Sequence, residues 1–227
     1  MGERKVTLSK ANQVVGAAMK KSVLSYGQCT GYVQTDFSDF LKFRRKMTEE
    51  GKKASMSAYF LKAMAIAMAD FPDLNAILVS EKEIVIYDEI NIGLGVHTDN
   101  GIMMVVVKDC GNKSVMEISA DLEDKVLRAR EGKLTLDDIT GGTVSASNLS
   151  MTREDFFTSI IVGDQTMIIG FGGINKKPYV VNNEIVIRDV ANIMVNMNHT
   201  SSQGYPTTMY LCKVAEIIEN PETYFVM

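Results

Sequence analysis

The sequence of 227 residues has no tryptophan, only two histidines and only three cysteines. Most zinc sites take three or four ligands from histidine and cysteine, so this shortage predicts a protein with no bound metal. The chain also lacks a cationic excess, because 24 lysines and arginines stand against 28 aspartates and glutamates. That balance argues against nucleic acid as a partner. Any catalysis is therefore expected to depend on very few imidazoles.

A long hydrophobic run is missing as well. The longest mostly apolar segment, residues 59–71, is too short to span a membrane, and the first residues do not resemble a signal peptide. Cys29, Cys110 and Cys212 are odd in number and widely spaced, which is typical of reduced thiols. We therefore expect a cytoplasmic protein without a membrane partner.

The residues that are present are sufficient for a large core, since 46% are hydrophobic and 23% charged. Fifteen methionines are expected to serve mainly as core filler. No linker or repeat interrupts the chain, so we predict one domain over residues 1–227. Hydrophobic periodicity predicts helices over 9–22, 38–50, 57–71, 114–131 and 206–219. It predicts strands over 30–35, 76–79, 83–87, 91–97, 102–107, 143–147, 166–172, 184–190 and 192–197. This irregular interleaving indicates an α+β fold with a mixed sheet.

Local signals support several of these elements. Ser114 and Glu117 have the spacing of a capping box, and Gly132 stands where a left-handed helix cap is expected. A turn is predicted at residues 99–101, Asp-Asn-Gly. The predicted buried stripe of helix 114–131 comprises Val115, Ile118, Leu122, Val126 and Ala129. Val14, Val15, Ala18 and Met19 are expected on one face of the first helix.

Two glycine-rich segments, residues 93–95 and 170–173, suggest a nucleotide site, but neither completes G-x-G-x-x-G. Glycine within strands more often marks a bulge or close backbone packing, and we favour that interpretation. Cys212 is expected in the core on the apolar face of the last helix. Cys110 precedes a glycine in a loop and could be exposed, although nothing nearby is suited to lower its pKa.

The two histidines occupy different contexts. His97 lies at the end of a predicted strand before a turn, and we expect a partly exposed structural residue. His199 leaves a strand, enters a polar loop and precedes a helix. An imidazole held at such a junction is well suited to deprotonate a thiol or hydroxyl near neutral pH. Considered alone, a loop histidine is still more often structural than catalytic.

Four segments of the chain form an ordered set. Residues 91–102 begin N-I-G and end N-G-I, residues 141–149 read G-G-T-V-S-A-S-N-L, residues 157–161 read F-T-S-I-I, and residues 198–204 read N-H-T-S-S-Q-G. In that order they resemble N-I-G-x-A-V-x-T-x-x-G-L, G-G-T-F-T-I-S-N-L, S-F-T-P-I-I and D-H-R-x-x-D-G of the dihydrolipoyl acyltransferase catalytic domains. Those domains form the cores of 2-oxo acid dehydrogenase complexes, and chloramphenicol acetyltransferases are related to them. The resemblance extends over nearly the whole chain.

The resemblance implies a mixed α/β, chloramphenicol acetyltransferase-like fold that forms trimers with active sites between subunits. By position, His199 would be the general base and Ser147 of the neighbouring subunit the oxyanion donor, with Gln203 at the third motif position. CoA or acyl-CoA would be a substrate, bound with contacts from Asn148, Thr158 and Gly204. The acceptor would be a thiol, hydroxyl or amine. It would be a small molecule or a lipoyl group carried by another protein.

The chain departs from the family pattern at charged positions. Gln203 replaces the second motif aspartate, Thr200 replaces the motif arginine, and the first helix offers no arginine. Losing both the aspartate and the arginine leaves neither charge buried without its partner. Because Gln203 supplies no negative charge to stabilise an imidazolium, we expect a weaker base, which need not be a dead one. At 227 residues we also expect no lipoyl domain and no peripheral-subunit-binding domain.

Two hypotheses follow. The first is a CoA-dependent acyltransferase that uses His199 and Ser147. The second is a catalytically weak or inactive member, acting as a trimeric scaffold or acyl-CoA-binding module. The apolar residues 224–227 are expected to be buried against another subunit in a homotrimer or larger cage, the alternative being that they fold back on their own domain. The positions that could select the acyl group are Met151, Phe156, Phe157 and Met167.

Overall fold

The structure, a computed structural model, describes residues 2–98 and 101–225. Its helices are α1 Lys10–Ser25, α2 Ser38–Glu49, α3 Met56–Met68, α4 Val115–Arg130, α5 Leu136–Ile139, α6 Gly204–Glu219 and α7 Pro221–Tyr224, with a 3-10 turn at Pro72–Leu74. Its strands are β1 Gln28–Asp36, β2 Ala76–Ser80, β3 Glu83–Ile86, β4 Ile92–Thr98, β5 Gly101–Val107, β6 Val144–Asn148, β7 Met167–Phe171, β8 Asn175–Val181 and β9 Glu184–Asn198. The predicted mixture of helices and strands is confirmed.

The main sheet is mixed, as expected from the sequence. Its strand order is β1-β9-β7-β6-β4-β5, and β8 pairs with the first half of β9. Strands β4, β6 and β7 are parallel to one another, whereas β9 is antiparallel to β1, β7 and β8. Strands β2 and β3 form a separate hairpin. The direction of β9 relative to β6 and β7 decides where the candidate site residues lie.

The two faces of the sheet differ in chemistry because side chains alternate along each strand. Ile193 of β9 and its odd-numbered neighbours face a hydrophobic core formed with the helices. Phe60 of α3 stacks on Phe171 of β7 there, with ring centroids 4.0 Å apart. The opposite face carries polar residues such as Asn192 and Asn196, which bind the long loop of residues 149–166.

Helix α4 forms as its capping signals predict. Ser114 accepts a hydrogen bond from the Glu117 N–H, and the Glu117 carboxylate accepts one from the Ser114 N–H. Gly132 follows the helix with φ +68°. Ile118, Leu122 and Ala129 are buried, whereas Val115 and Val126 are only partly buried against the core.

Helix α1 forms, and the face that carries its four apolar residues is largely uncovered in the single chain. Val14 is 69% exposed, Val15 and Ala18 are exposed, and Met19 is partly buried. Among the described side chains of this helix, Ser22 is buried, and its hydroxyl donates to the carbonyl of Ile161 at 2.8 Å. This hydrogen bond and the ion pair of Lys21 with Asp164 join the helix to the loop of residues 149–166.

The C-terminal half of the sheet differs from prediction in two ways. The two strands predicted over 184–197 are one continuous strand, β9, and strand β8 was not predicted. Asn182 and Asn183 connect β8 to β9 as a two-residue turn with φ of 51° and 65°. Two consecutive left-handed residues are what a tight hairpin turn requires.

The C-terminal tail packs on its own domain. The Phe225 ring lies 5.2 Å from that of Tyr59, centroid to centroid, and also contacts Phe40 and Phe43. Within the single chain the tail thus follows the alternative that it folds back on its own domain: Phe225 packs on core aromatics, Tyr224 bonds with Lys213 and Glu216, and both stay partly exposed. Val226 and Met227 lie outside the described residues, as do Asp99 and Asn100 of the predicted turn at 99–101.

The cysteines are free thiols with different exposure. Cys29 is exposed, Cys212 is partly buried, and Cys110 is fully buried. The expectation that Cys110 could be exposed is wrong, because the loop that carries it folds beneath α3 and α4. Its burial raises the pKa of the Cys110 thiol to about 12. Within the described ranges, no helix is long and apolar enough to cross a membrane, and no group of three histidine, cysteine or acidic side chains could hold a metal ion.

Candidate active site

Ser147 lies near the end of β6, on the face of the sheet opposite the core. Val144 and Ala146 point into the core, so Ser147 points to the other side. It is paired with Gly170 of β7, whose missing side chain leaves space for the Phe157 ring. A Cβ on Gly170 would lie 2.9 Å from that ring. Ser147 is partly exposed beside Phe157, where a substrate can approach it.

His199 is held at the opposite end of the sheet. It is the first residue after β9, it is exposed, and its N–H donates to the Gly27 carbonyl just before β1 at 2.9 Å. The imidazole lies over the start of α6, since a Cβ on Gly204 would be 3.7 Å from its Nε2 atom. The backbone on both sides of His199 is thus fixed while the ring remains accessible.

Gln203 is the residue just before α6. Its carbonyl accepts a hydrogen bond from the Thr207 hydroxyl at 2.8 Å, and its side chain is exposed. Within residues 2–98 and 101–225, the Gln203 amide has no hydrogen-bond partner. It is four positions from His199 and carries no charge, so it can orient a neighbouring group but cannot neutralise an imidazolium.

Ser147 and His199 lie far apart in one chain. Ser147 is in register with Gly170, which is in register with Met194 of β9. His199 follows Met194 by five residues. Because β9 is antiparallel to β7, which is parallel to β6, these five residues carry His199 past the end of the sheet at which β6 and β7 begin. Five residues at ~3.3 Å and two strand spacings of ~4.8 Å give a separation of about 19 Å. Within a single chain these two side chains cannot act on the same atom.

The three residues expected to contact CoA divide between the same two ends of the sheet. Asn148 follows Ser147; its amide donates to the Ser57 hydroxyl at 2.9 Å and its oxygen accepts from the Ser150 N–H. Thr158 is exposed and follows Phe157, the ring beside Ser147. Gly204 lies at the other end, under the imidazole. Each end of the sheet therefore presents half of the predicted residues.

The glycine-rich segment 170–173 serves close packing, as favoured from the sequence. A Cβ on Gly172 would lie 2.9 Å from the carbonyl oxygen of Asp155, and one on Gly173 would collide with the Thr152 carbonyl. These glycines let the backbone of loop 149–166 lie directly on the sheet. At the other segment, a Cβ on Gly93 would meet the Ser145 hydroxyl at 2.9 Å.

Other predicted positions have different outcomes. Met167 is fully buried in the hydrophobic core, so its expected role in lining a substrate channel is wrong. Met151 and Phe156 are exposed and Phe157 is partly exposed on loop 149–166, where they remain available. His97 is exposed on β4, slightly more open than the partly exposed residue that was predicted.

Sequence reasoning missed a cavity beside His199. It has a volume of about 380 Å³ and lies between the end of α3 and the start of α6. Asp70 and Asp73 line it together with residues 201–203. Both carboxylates lie within two residues of Pro72, which in the sequence indicates only the end of a helix. Their proximity to the loop after His199 is therefore visible only in the structure.

The chain resembles known proteins over most of its length. A family model described as 2-oxoacid dehydrogenases acyltransferase (catalytic domain) matches residues 1–226. The dihydrolipoyllysine-residue acetyltransferase component of the pyruvate dehydrogenase complex of Staphylococcus aureus is 32% identical over 182 residues, which cover 80% of this chain and 42% of that protein. The chain therefore spans about two-fifths of the length of the curated relatives it matches.

Solved structures show the same fold. The cubic core of the pyruvate dehydrogenase multienzyme complex matches with a TM-score of 0.94 at 19% identity, covering 100% of this chain and 95% of that one. The dihydrolipoamide acetyltransferase of Azotobacter vinelandii gives 0.93 at 19% identity, with the same coverage. A chloramphenicol acetyltransferase gives 0.56 at 15% identity, covering 95% and 100%.

The study of the Azotobacter vinelandii enzyme concerns the role of one serine, one histidine and one asparagine in its catalytic mechanism. That serine and histidine are 52 positions apart, and the asparagine follows the histidine by four.

These structural matches confirm the mixed α/β, chloramphenicol acetyltransferase-like fold expected from the sequence. The chain belongs to the family of 2-oxoacid dehydrogenases acyltransferase catalytic domains.

Proposed function

We propose that this chain is a CoA-dependent acyltransferase whose active site is completed by a second copy of the chain. The observation that carries the proposal is the position of Ser147 and His199 at opposite ends of the strands of one sheet. Two copies packed with the Ser147 end of one sheet against the His199 end of the other would bring the two residues together. Each copy then supplies half of a site, in agreement with the division of the CoA-binding candidates.

Residue spacing supports the assignment of these two side chains. Ser147 and His199 are 52 positions apart, and Gln203 follows His199 by four, as do the serine, histidine and asparagine of the Azotobacter vinelandii enzyme. Gln203 thus takes the place of an amide side chain in that enzyme. An amide at this position is compatible with the acyl transfer proposed here, so Gln203 is no argument for an inactive protein.

The proposed chemistry needs one base and one oxyanion donor. The His199 imidazole takes the proton of the acceptor thiol, whose sulfur attacks the thioester carbonyl carbon of acyl-CoA. The carbonyl electron pair moves to oxygen, which accepts a hydrogen bond from the partner subunit's Ser147. Collapse of this intermediate re-forms the carbonyl and breaks the bond to the CoA sulfur. The imidazolium then returns the proton to the departing thiolate.

The proposed substrates follow from the family and its relatives. CoA would be contacted by Asn148 and Thr158 on one copy and by Gly204 on the other. The acceptor would be the thiol of a dihydrolipoyl group, because the Staphylococcus aureus relative is a dihydrolipoyllysine-residue acetyltransferase. The same reaction run in reverse loads CoA from an acyl-lipoyl thioester.

The proposed assembly is a homotrimer, or a cage of trimers like the cubic core to which the fold is similar. The uncovered apolar residues of α1 support association, since Val14 is 69% and Leu24 75% exposed in a single chain. Burying such side chains between copies is favourable. We also propose a cytoplasmic protein, in keeping with the free thiols of its three cysteines.

The test is acetyl transfer from acetyl-CoA to dihydrolipoamide, followed by chromatography of the acetylated product. We expect His199→Ala to lower kcat by ~10²-fold or more, because a positioned base contributes that much. His97→Ala, which removes the other imidazole, is the matched control and should stay near the parent rate.

An outcome in which the parent and His199→Ala give the same background rate would contradict the enzymatic proposal. In that case, titration of the parent with acetyl-CoA separates the remaining alternatives. Saturable binding without turnover would identify an acyl-CoA-binding module, and no binding would identify a trimeric scaffold.

A further inference from the structure

Asn198 organises the loop that presents His199. It is fully buried, and its N–H donates to the Thr166 carbonyl just before β7 at 2.7 Å. Its side-chain oxygen accepts from the Thr200 N–H at 3.1 Å. Its own carbonyl accepts from the Ser202 N–H at 2.9 Å and from the Ser202 hydroxyl at 3.0 Å. The side chain and the carbonyl of Asn198 thus bond to the residues that follow His199, while its N–H ties the loop to the start of β7.

The same residue keeps the loop uncharged. The Nδ2 atom of Asn198 is buried without a hydrogen-bond partner among the described residues. An unpartnered buried amide destabilises the fold, and a small apolar residue here would avoid that cost. What only a side-chain acceptor provides is the bond to Thr200. A carboxylate would provide it too, but it would place a buried negative charge beside His199.

We infer that Asn198 is the positioning residue for the His199 base: a neutral acceptor that fixes the turn after β9 and thereby the direction of the imidazole. This inference rests on the proposed function for its catalytic consequence, but its structural consequence can be measured without turnover. An imidazole displaced by about 1 Å can cost ~10²-fold in rate.

Other titratable side chains lie around this loop, and their charge can also affect the His199 signals. On the β1 side, Tyr26 donates to the Asp164 carboxylate, and burial together with this bond raises the pKa of Tyr26 to about 12, so it stays neutral. Other titratable side chains near the loop include Lys21, which forms an ion pair with Asp164, Cys29 of β1, Tyr205 of α6, and Asp70 and Asp73 beside the cavity.

The experiment compares Asn198→Ala, Asn198→Ser and Asn198→Asp by nitrogen-15 NMR of the imidazoles and by acetyl-transfer kinetics. The chain has two histidines, so His97→Ala assigns the His199 signals directly. For Asn198→Ala we expect kcat to fall at least ~10-fold with the KM for acetyl-CoA nearly unchanged, and the His199 tautomer signals to average. Asn198→Ser should recover part of kcat, because its hydroxyl can accept from the Thr200 N–H. Asn198→Asp should keep the bond to the Thr200 N–H and shift the His199 nitrogen signals, because it places a negative charge beside the ring.

Asn192→Ala is the matched control. Asn192 is a buried asparagine of the same strand, and its amide donates to the Asp155 carbonyl, far from the loop. It should lower thermal stability without changing the His199 spectrum. The inference is overturned if Asn198→Ala and Asn198→Ser leave the His199 signals as in the parent. It is also overturned if they change those signals no more than Asn192→Ala does. If the parent shows no acetyl transfer, the proposed function fails while the NMR comparison still decides the role of Asn198.

Discussion

Two inactive variants of this chain should restore each other's activity within one oligomer. His199→Ala retains the Ser147 hydroxyl, and Ser147→Ala retains the His199 imidazole. Where a His199→Ala copy contributes its serine to the histidine of a Ser147→Ala copy, the shared site is intact. In a trimer that contains both variants in either ratio, one site in three is intact, and kcat should recover to about a third of the parent value.

The size of this recovery follows from the geometry of the sheet. The register places Ser147 about 19 Å from His199 in one chain, whereas a hydrogen bond to a shared oxyanion requires about 3 Å. Each variant alone should lose ~10²-fold or more, since a single oxyanion donor is worth ~10²–10³ and a base ~10²–10⁴. A third of the parent rate therefore stands far above the residual rate of either variant.

The assay needs oligomers that contain both variants. Co-expression with two different affinity tags and two successive purifications isolates them, and acetyl transfer to dihydrolipoamide is then measured. The control pairs His199→Ala with a chain carrying both substitutions, which supplies no imidazole and should restore nothing. Mixed oligomers whose rate equals the mean of the two separate variants would refute a site shared between copies.

Three further predictions concern the single chain. Gly173→Ala should lower the unfolding free energy by about 1–3 kcal/mol, because the added methyl meets a loop carbonyl, whereas Gly16→Ala, with open space around it, should raise it by about 0.5–1 kcal/mol in urea titrations. The hydrogen bonds from Arg128 hold the pKa of Asp138 well below its usual value of 3.8. This carboxylate therefore stabilises the fold fully above about pH 4, and its contribution to the unfolding free energy decreases as the pH falls. The stability difference between the parent and Asp138→Asn should accordingly shrink below that pH. Iodoacetamide followed by mass spectrometry should label Cys29 in the native protein and Cys110 only after unfolding, because burial raises the pKa of the Cys110 thiol to about 12.

Elements that depend on local signals were predictable from the sequence. The capping box of Ser114 and Glu117 and the glycine after helix α4 act within a few residues, and the helix begins and ends where they indicate. The packing role of the glycines at 170–173 was also predictable, since glycine inside strands usually permits close approach. The identity of the approaching segment was not, because loop 149–166 reaches them only after the chain turns back.

Strand β8 shows why other elements escaped prediction. Its residues include Lys176, Lys177 and Pro178, so the polar side chains hide the alternation, and a proline argues against a central strand. The pair Asn182 and Asn183 was the available signal, because asparagine tolerates the left-handed conformation of a tight hairpin. Burial was harder still to predict: the sequence places four apolar residues on one face of α1, but it does not state whether that face packs on its own chain.

The candidate site was predictable as a set of residues but not as an arrangement. Sequence order and motif spacing point to Ser147 and His199, yet neither states on which edge of a sheet a residue lies. That depends on strand direction: β6 and β7 are parallel, β9 runs against both, and five residues of β9 carry His199 beyond the edge where β6 begins. A single antiparallel pairing thus separates the proposed base from the proposed oxyanion donor within one chain. It also means that, for this proposed reaction, a subunit alone holds half of each of two sites, so catalysis and association depend on the same contacts.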